Sequence, residues 1–340
     1  MGLSIVSFPE HTMVRLVAND SRSHFGLTVL LIVLGAILSI YWYIHVAVAL
    51  SQQSPLTYRE SPRTEQWAVV ISFFGIKTIY TILTAIIIFA LRHRREGDLV
   101  ALRWSMISFF IGEAFCFVNV MAFHDNSVPM EHLHSLGMVL SIAFGIYALL
   151  EGVDARIIHY SDVGRCAFAS MCDRCAKHVD VLCGLRRSFI LMLPLLALAA
   201  AMPLYSSFRD TAYTTHVLGA NHIYRHSIVH QVYELRYLPA AAIALFAACL
   251  LMVSLVERRS MPVSKILLAA ASGAMTFSFF RLMLVASYID NQVWFAVWEE
   301  TLELLTILAI GGVLYLFRAR LLAPDTPKGA NDAAGSLSCT

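Results

Sequence analysis

Apolar residues run through this chain in long blocks separated by polar segments. A transmembrane helix needs roughly 20 mostly apolar residues. Eight blocks approach that length: Phe25–Leu50, Trp67–Leu91, Arg103–Phe123, Glu131–Glu151, Ser188–Tyr205, Tyr237–Val256, Lys265–Tyr288 and Phe295–Phe317. The fifth is the shortest and carries Pro194 and Pro203. The pattern predicts an all-α, polytopic helical membrane protein of about eight spans. The run after residue 24 exceeds the ~7–15 residues of a signal-peptide core, so it reads as an uncleaved first span.

Basic residues set the orientation. Arg92, Arg94, Arg95 and Arg103 flank the second connection, and Arg156, Arg165, Arg174, Lys177, Arg186 and Arg187 occupy the fourth. Arg258, Arg259 and Lys265 mark the sixth, and Arg318 and Arg320 open the tail. All fall on one side, which the positive-inside rule makes cytoplasmic. The expected organisation has a cytoplasmic segment 1–24, spans one to four over 25–151, and a cytoplasmic Cys-rich loop 152–187. Spans five to eight follow over 188–317, with a His-rich outer loop 206–236, and a disordered cytoplasmic tail covers 318–340. Both termini are then inside, in a bacterial inner (plasma) membrane.

A faint internal repeat supports two four-helix halves. LTYRES (56–61) resembles SSFRDT (206–211), and HDN (124–126) resembles IDN (289–291). Chance similarity among apolar helices is the competing explanation.

Composition agrees with a membrane protein. The 340 residues are 58% hydrophobic and 14% charged, whereas a soluble domain is about a quarter charged. A net charge of +2 provides no basic footprint for nucleic acid. The partner it implies is the lipid bilayer.

Ionisable residues inside spans are costly and mark function by default. Lys77, Glu113 and Glu303 lie about seven to ten residues from the outer ends, roughly 10–15 Å deep at 1.5 Å per residue. Arg281 and His45 join them in the outer half. One reading pairs Lys77 and Arg281 with Glu113 and Glu303 as structural ion pairs. The other makes them the lining of a hydrated, outward-facing cavity, with catalytic or proton-carrying carboxylates.

Two spacings point to metal. Glu131 and His134 share one helical face, in the Glu-x-x-His spacing used by ferritin-like metal bundles, with Glu113 as a candidate partner. His222, His226, His230 and Glu234 recur every fourth residue, which predicts an amphipathic surface helix able to hold iron, copper or haem. His45, His222, His226 and His230 are the cofactor-binding candidates. Cys166, Cys172, Cys175 and Cys183 lie in the basic 152–187 loop, where a reducing compartment disfavours disulfides. Four thiolates can close a zinc site or hold an iron–sulfur cluster, and the loop is a candidate docking point for a cytoplasmic protein. Cys116 and Cys249 read as packing residues within spans.

Together these features lead us to expect an integral membrane metalloprotein, redox-linked, with an outer Glu/His site and a cytoplasmic four-Cys site. There Lys77 and Arg281 balance charge or bind a small anion or a quinone oxygen. The alternatives are a proton-coupled secondary transporter using Glu113 and Glu303, and a membrane sensor or assembly factor.

Overall fold

The computed structural model describes residues 55–123, 127–154, 156, 184–209, 211–217, 219–255 and 261–318. Seven helices account for most of them: α1 (Arg63–Leu91), α2 (Gly97–Phe123), α3 (Val128–Val153), α4 (Gly184–Ala200), α5 (Ile228–Val253), α6 (Met261–Tyr288) and α7 (Gln292–Leu316). They fall on the second to eighth predicted spans. The chain is an all-α polytopic helical protein, and α1, α2, α3, α5 and α6 are each long and apolar enough to cross a membrane. The predicted first span, the four loop cysteines, His45 and the tail from residue 319 lie outside the described residues.

The distribution of side chains is that of a protein solvated by lipid. Phe74, Ile82 and Phe89 on α1, Leu149 on α3, Leu198 on α4 and Met283 on α6 are exposed, while Lys77, Glu113, Arg281, Glu300 and Glu303 are buried. Lipid cannot hydrogen-bond polar groups, so these must find partners inside the bundle.

Helices α2 and α3 pack along much of their length through small residues. A Cβ added at Gly137 would lie 2.6 Å from the Gly112 Cα. One step along the same seam, the Ser105 hydroxyl donates to the Ser141 carbonyl at 2.7 Å. On the other side of α3, a Cβ at Gly273 of α6 would meet the Val139 carbonyl oxygen at 2.8 Å. Close approach through small residues substitutes for the missing hydrophobic drive between helices in lipid.

Two helices carry wide π-helical turns, Ile71–Ile76 in α1 and Tyr233–Tyr237 in α5. Lys77 follows the first and Glu234 sits within the second. Such turns locally re-aim side chains and are frequent at functional sites.

A three-stranded sheet caps the end of the bundle that carries the ionic residues. Strand β1 (Thr57–Tyr58) runs parallel to β2 (Thr211–Val217), which pairs antiparallel with β3 (Ala220–His226). Gly219, at φ +90°, makes the hairpin turn, a conformation glycine adopts without steric cost. This corrects the expected helix over 222–234. His222 and His226 belong to β3, and helix resumes only at Ile228. The alternation of Thr, Tyr, Val and Ile with polar residues over 211–226 favours a pleated strand. The cap is tied to α7, because the backbone N–H of Gln292 donates to the Tyr213 hydroxyl at 3.0 Å. Asn291 adds a bond from Nδ2 to Glu65 Oε1 at 2.8 Å.

At the opposite end, Lys265 bonds Asp154 and also reaches Glu151 at 3.0 Å. Nearby, Arg156 bonds Asp98 at 2.6 Å.

Candidate metal centre

Five elements converge beneath the cap: α1, α2, α3, α6 and α7, with β3 and the start of α5 closing the top. They enclose a cavity of about 90 Å³ whose walls include Lys77, Glu113, His134, His226, Arg281 and Glu303. That is room for a few waters or ions, at roughly 30 Å³ per water, and too little for an organic substrate.

Lys77 is the first centre of charge. Its Nζ lies 2.7 Å from Glu113 Oε2 and 2.9 Å from Glu300 Oε1, with Cys116 Sγ at 3.3 Å. The fully buried Tyr80 hydroxyl stands between the same two carboxylates, 2.6 Å from Glu113 and 2.5 Å from Glu300. One hydroxyl proton can serve only one of those contacts, so the other closes only if a carboxyl group contributes a proton. Two carboxylates sharing one site behave this way because like charges at such range cannot both ionise cheaply.

Arg281, 2% exposed, is the second centre. Its Nε lies 2.9 Å from Glu234 Oε1, Nη1 2.6 Å from Glu299 Oε1 and Nη2 3.9 Å from Glu131 Oε1. His226 Nε2 stands 3.4 Å from the other Glu234 oxygen. The Phe277 and Phe295 rings lie 5.1 and 5.6 Å from the guanidinium, within cation–π range.

Between the two centres lie Glu113, His134 and Glu303. All three are buried, and one ligand-type atom from each falls within 4.8 Å of the other two. Glu113 Oε1 and Glu303 Oε2 are buried without a hydrogen-bond partner. His134 Nδ1 is 3.1 Å from the Gly112 carbonyl oxygen. Donation there holds the ring as a backbone carbonyl commonly holds a metal-ligating histidine. Nδ1 also lies 3.6 Å from Glu113 Oε1, and Nε2 lies 3.8 Å from Glu299 Oε1.

The charge balance is uneven. Glu113, Glu131, Glu234, Glu299, Glu300 and Glu303 stand against three fixed cations, Lys77, Arg225 and Arg281, among the described residues around the cavity. Buried charge must be compensated, so this site calls for protons, imidazolium or a metal cation.

Most of the sequence expectations for the outer site meet here, with changes. Lys77, Glu113, Arg281 and Glu303 line one cavity, but the expected pairing is corrected in part. Lys77 does take Glu113, whereas Arg281 takes Glu234 and Glu299, and Glu303 makes no ion pair among the described residues. Of the Glu131-x-x-His134 pair, only His134 joins the three-ligand group. Glu131 reaches the cavity wall but accepts from Asn119 Nδ2 at 3.3 Å. His222, His226 and His230 all line the cavity, though from a strand and a helix start instead of one helix. Cys116 is more than a packing residue, since it borders the cavity and touches Lys77. Tyr80 was missed. Its signal is the i, i+3 spacing from Lys77, which places both on one face of α1.

Outside the membrane-spanning segments, burial among the Phe73 and Tyr224 rings pushes the His222 imidazole below its ordinary value. His222 is thereby held neutral, with one nitrogen donating and one accepting.

Compared with known proteins, the chain matches no family model, no curated protein and no solved structure.

Proposed function

We propose that this chain is an integral membrane metalloprotein that holds one transition-metal ion on Glu113, His134 and Glu303. The observation that carries the reading is the buried three-ligand group itself, drawn from α2, α3 and α7, with one oxygen each of Glu113 and Glu303 buried without a hydrogen bond. Two carboxylates and one imidazole are a donor set suited to iron, manganese or zinc. A metal cation also offsets the surplus of carboxylates around the cavity.

In this reading Lys77 and Tyr80 fix Glu113 from its other oxygen, and the Gly112 carbonyl orients His134. Arg281 gathers Glu234 and Glu299 and keeps them off the metal. His226, whose Nε2 faces Glu234 at 3.4 Å, and His230, whose buried Nε2 makes no hydrogen bond, supply further basic groups for ligation or proton transfer. The role we assign is redox-linked, and the site opens to the outer side of a bacterial plasma membrane. The loop cysteines Cys166, Cys172, Cys175 and Cys183 form a separate zinc or iron–sulfur site on the cytoplasmic side in the same proposal, where a soluble partner docks. An impermeant thiol reagent tests that orientation: it should leave Cys172 and Cys175 unlabelled in intact cells, and ready labelling would invert the scheme.

A second reading, proton-coupled transport, is favoured by one observation, the Tyr80 hydroxyl between Glu113 and Glu300, which is a natural place to store a proton. Metal analysis of the purified full-length protein separates the two. About one equivalent of iron, manganese or zinc beyond any metal on the cysteines supports the metalloprotein. No metal, together with proton uptake into proteoliposomes, supports the transporter.

A further inference from the structure

Beside the ionic cavity lies a second, larger space. Between α1 and α2, under the tip of the β2–β3 hairpin, is a cleft of about 720 Å³. Its walls are apolar, with Phe73 and Phe74 from α1 and Phe110 and Phe117 from α2. Lys77, Glu113 and His222 sit where the cleft meets the ionic cavity, and Phe73, Lys77, Glu113, Val120 and His222 line both spaces. The volume falls within the ~300–1,000 Å³ typical of organic ligand sites, and so does the design of an apolar lining with a few polar groups.

We infer that this cleft binds the ring of a lipid-soluble quinone or quinol, whose apolar tail leaves between α1 and α2 into the bilayer. The inference deepens the metal-centre reading and rests on it for its purpose, since it names the organic partner of that centre. Three features favour a quinone over an acyl chain. The ionisable groups Lys77, Glu113 and His222 sit at one place, so the occupant needs oxygen at one end and hydrocarbon elsewhere. The neutral His222 imidazole meets Phe73 and Tyr224 through its ring, leaving one N–H donor and one acceptor that suit either a carbonyl or a hydroxyl. Aromatic side chains line both helical walls, and flat rings stack on such surfaces. The ionic cavity is too small to admit the ring, so the ligand reaches the centre only through the shared wall.

Binding of a ubiquinone analogue with a ten-carbon tail to the purified full-length protein in nanodiscs tests this. Ala114 lines the cleft and is no part of the ionic cluster. Ala114→Phe should fill the space and weaken binding at least tenfold, and His222→Ala should weaken it by a similar factor. Metal content should stay at the wild-type level in Ala114→Phe. The proposal is overturned if the wild-type protein binds no quinone, or if neither variant changes the affinity. Either result would give the cleft to lipid acyl chains or to the 25–50 segment. Quinone binding that responds to both variants in a protein free of metal would uphold the cleft and remove the metal reading instead.

Discussion

Gly112 and Gly137 meet backbone to backbone where α2 crosses α3, so closely that a Cβ on Gly137 would lie 2.6 Å from the Gly112 Cα. The contact does more than join two helices. Glu113 follows Gly112 in the chain, and His134, one turn before Gly137, donates to the Gly112 carbonyl. The crossing therefore sets the distance between two members of the three-ligand group.

Gly137→Ala should force the helices apart. Overpacking of this kind costs about 1–3 kcal/mol, so the thermal midpoint of the purified protein should fall. Metal affinity should fall with it, because His134 moves relative to Glu113. A stable Gly137→Ala protein with unchanged metal content would show that the crossing does not position the site.

Tyr80→Phe should destabilise without removing the metal. The substitution removes one O–H donor from between two buried carboxyl groups, at a cost of about 1–3 kcal/mol. Denaturation of the two proteins side by side measures this. Equal stability would mean that the hydroxyl bridge contributes nothing.

The sequence made the ionic residues of the site legible because charge inside an apolar span has few explanations. Lys77, Glu113, Arg281 and Glu303 could each be found by depth alone. Their pairing could not, since it depends on which helices are neighbours. The histidine spacing misled for a definite reason. Positions four apart share a face on a strand as well as on a helix, because four is an even number and also close to one helical turn. His222 and His226 are thus on one face, as expected, but of β3. Tyr80 and Cys116 carry no formal charge, and their importance emerges only when Lys77, Glu113 and Glu300 surround them. The small cap sheet was hidden for another reason: β1 pairs with β2 across more than 150 residues of chain.

The stability of the sheet cap should depend on pH through His222. Burial holds its folded-state pKa below the unfolded value of about 6.5. Above that pH both states are neutral there and no linkage arises. As pH falls below about 6.5 the unfolded chain takes up a proton that the folded one refuses, so stability declines. His222→Gln should flatten this acid-side decline. Superimposable pH–stability curves for the two proteins would exclude His222 as its source.

Glu303 offers the most direct test of the metal centre. It is buried and makes no ion pair among the described residues, and its Oε2 has no hydrogen-bond partner. Neutralising it should therefore spare the fold, unlike neutralising a paired carboxylate, which strands a buried cation at about 3–5 kcal/mol. The decisive measurement is the metal content of purified Glu303→Gln beside wild type, with abundance and thermal midpoint recorded for both. Normal abundance, an equal or higher midpoint and about one equivalent less transition metal are expected. A well-folded Glu303→Gln protein carrying as much metal as wild type would contradict the metal assignment.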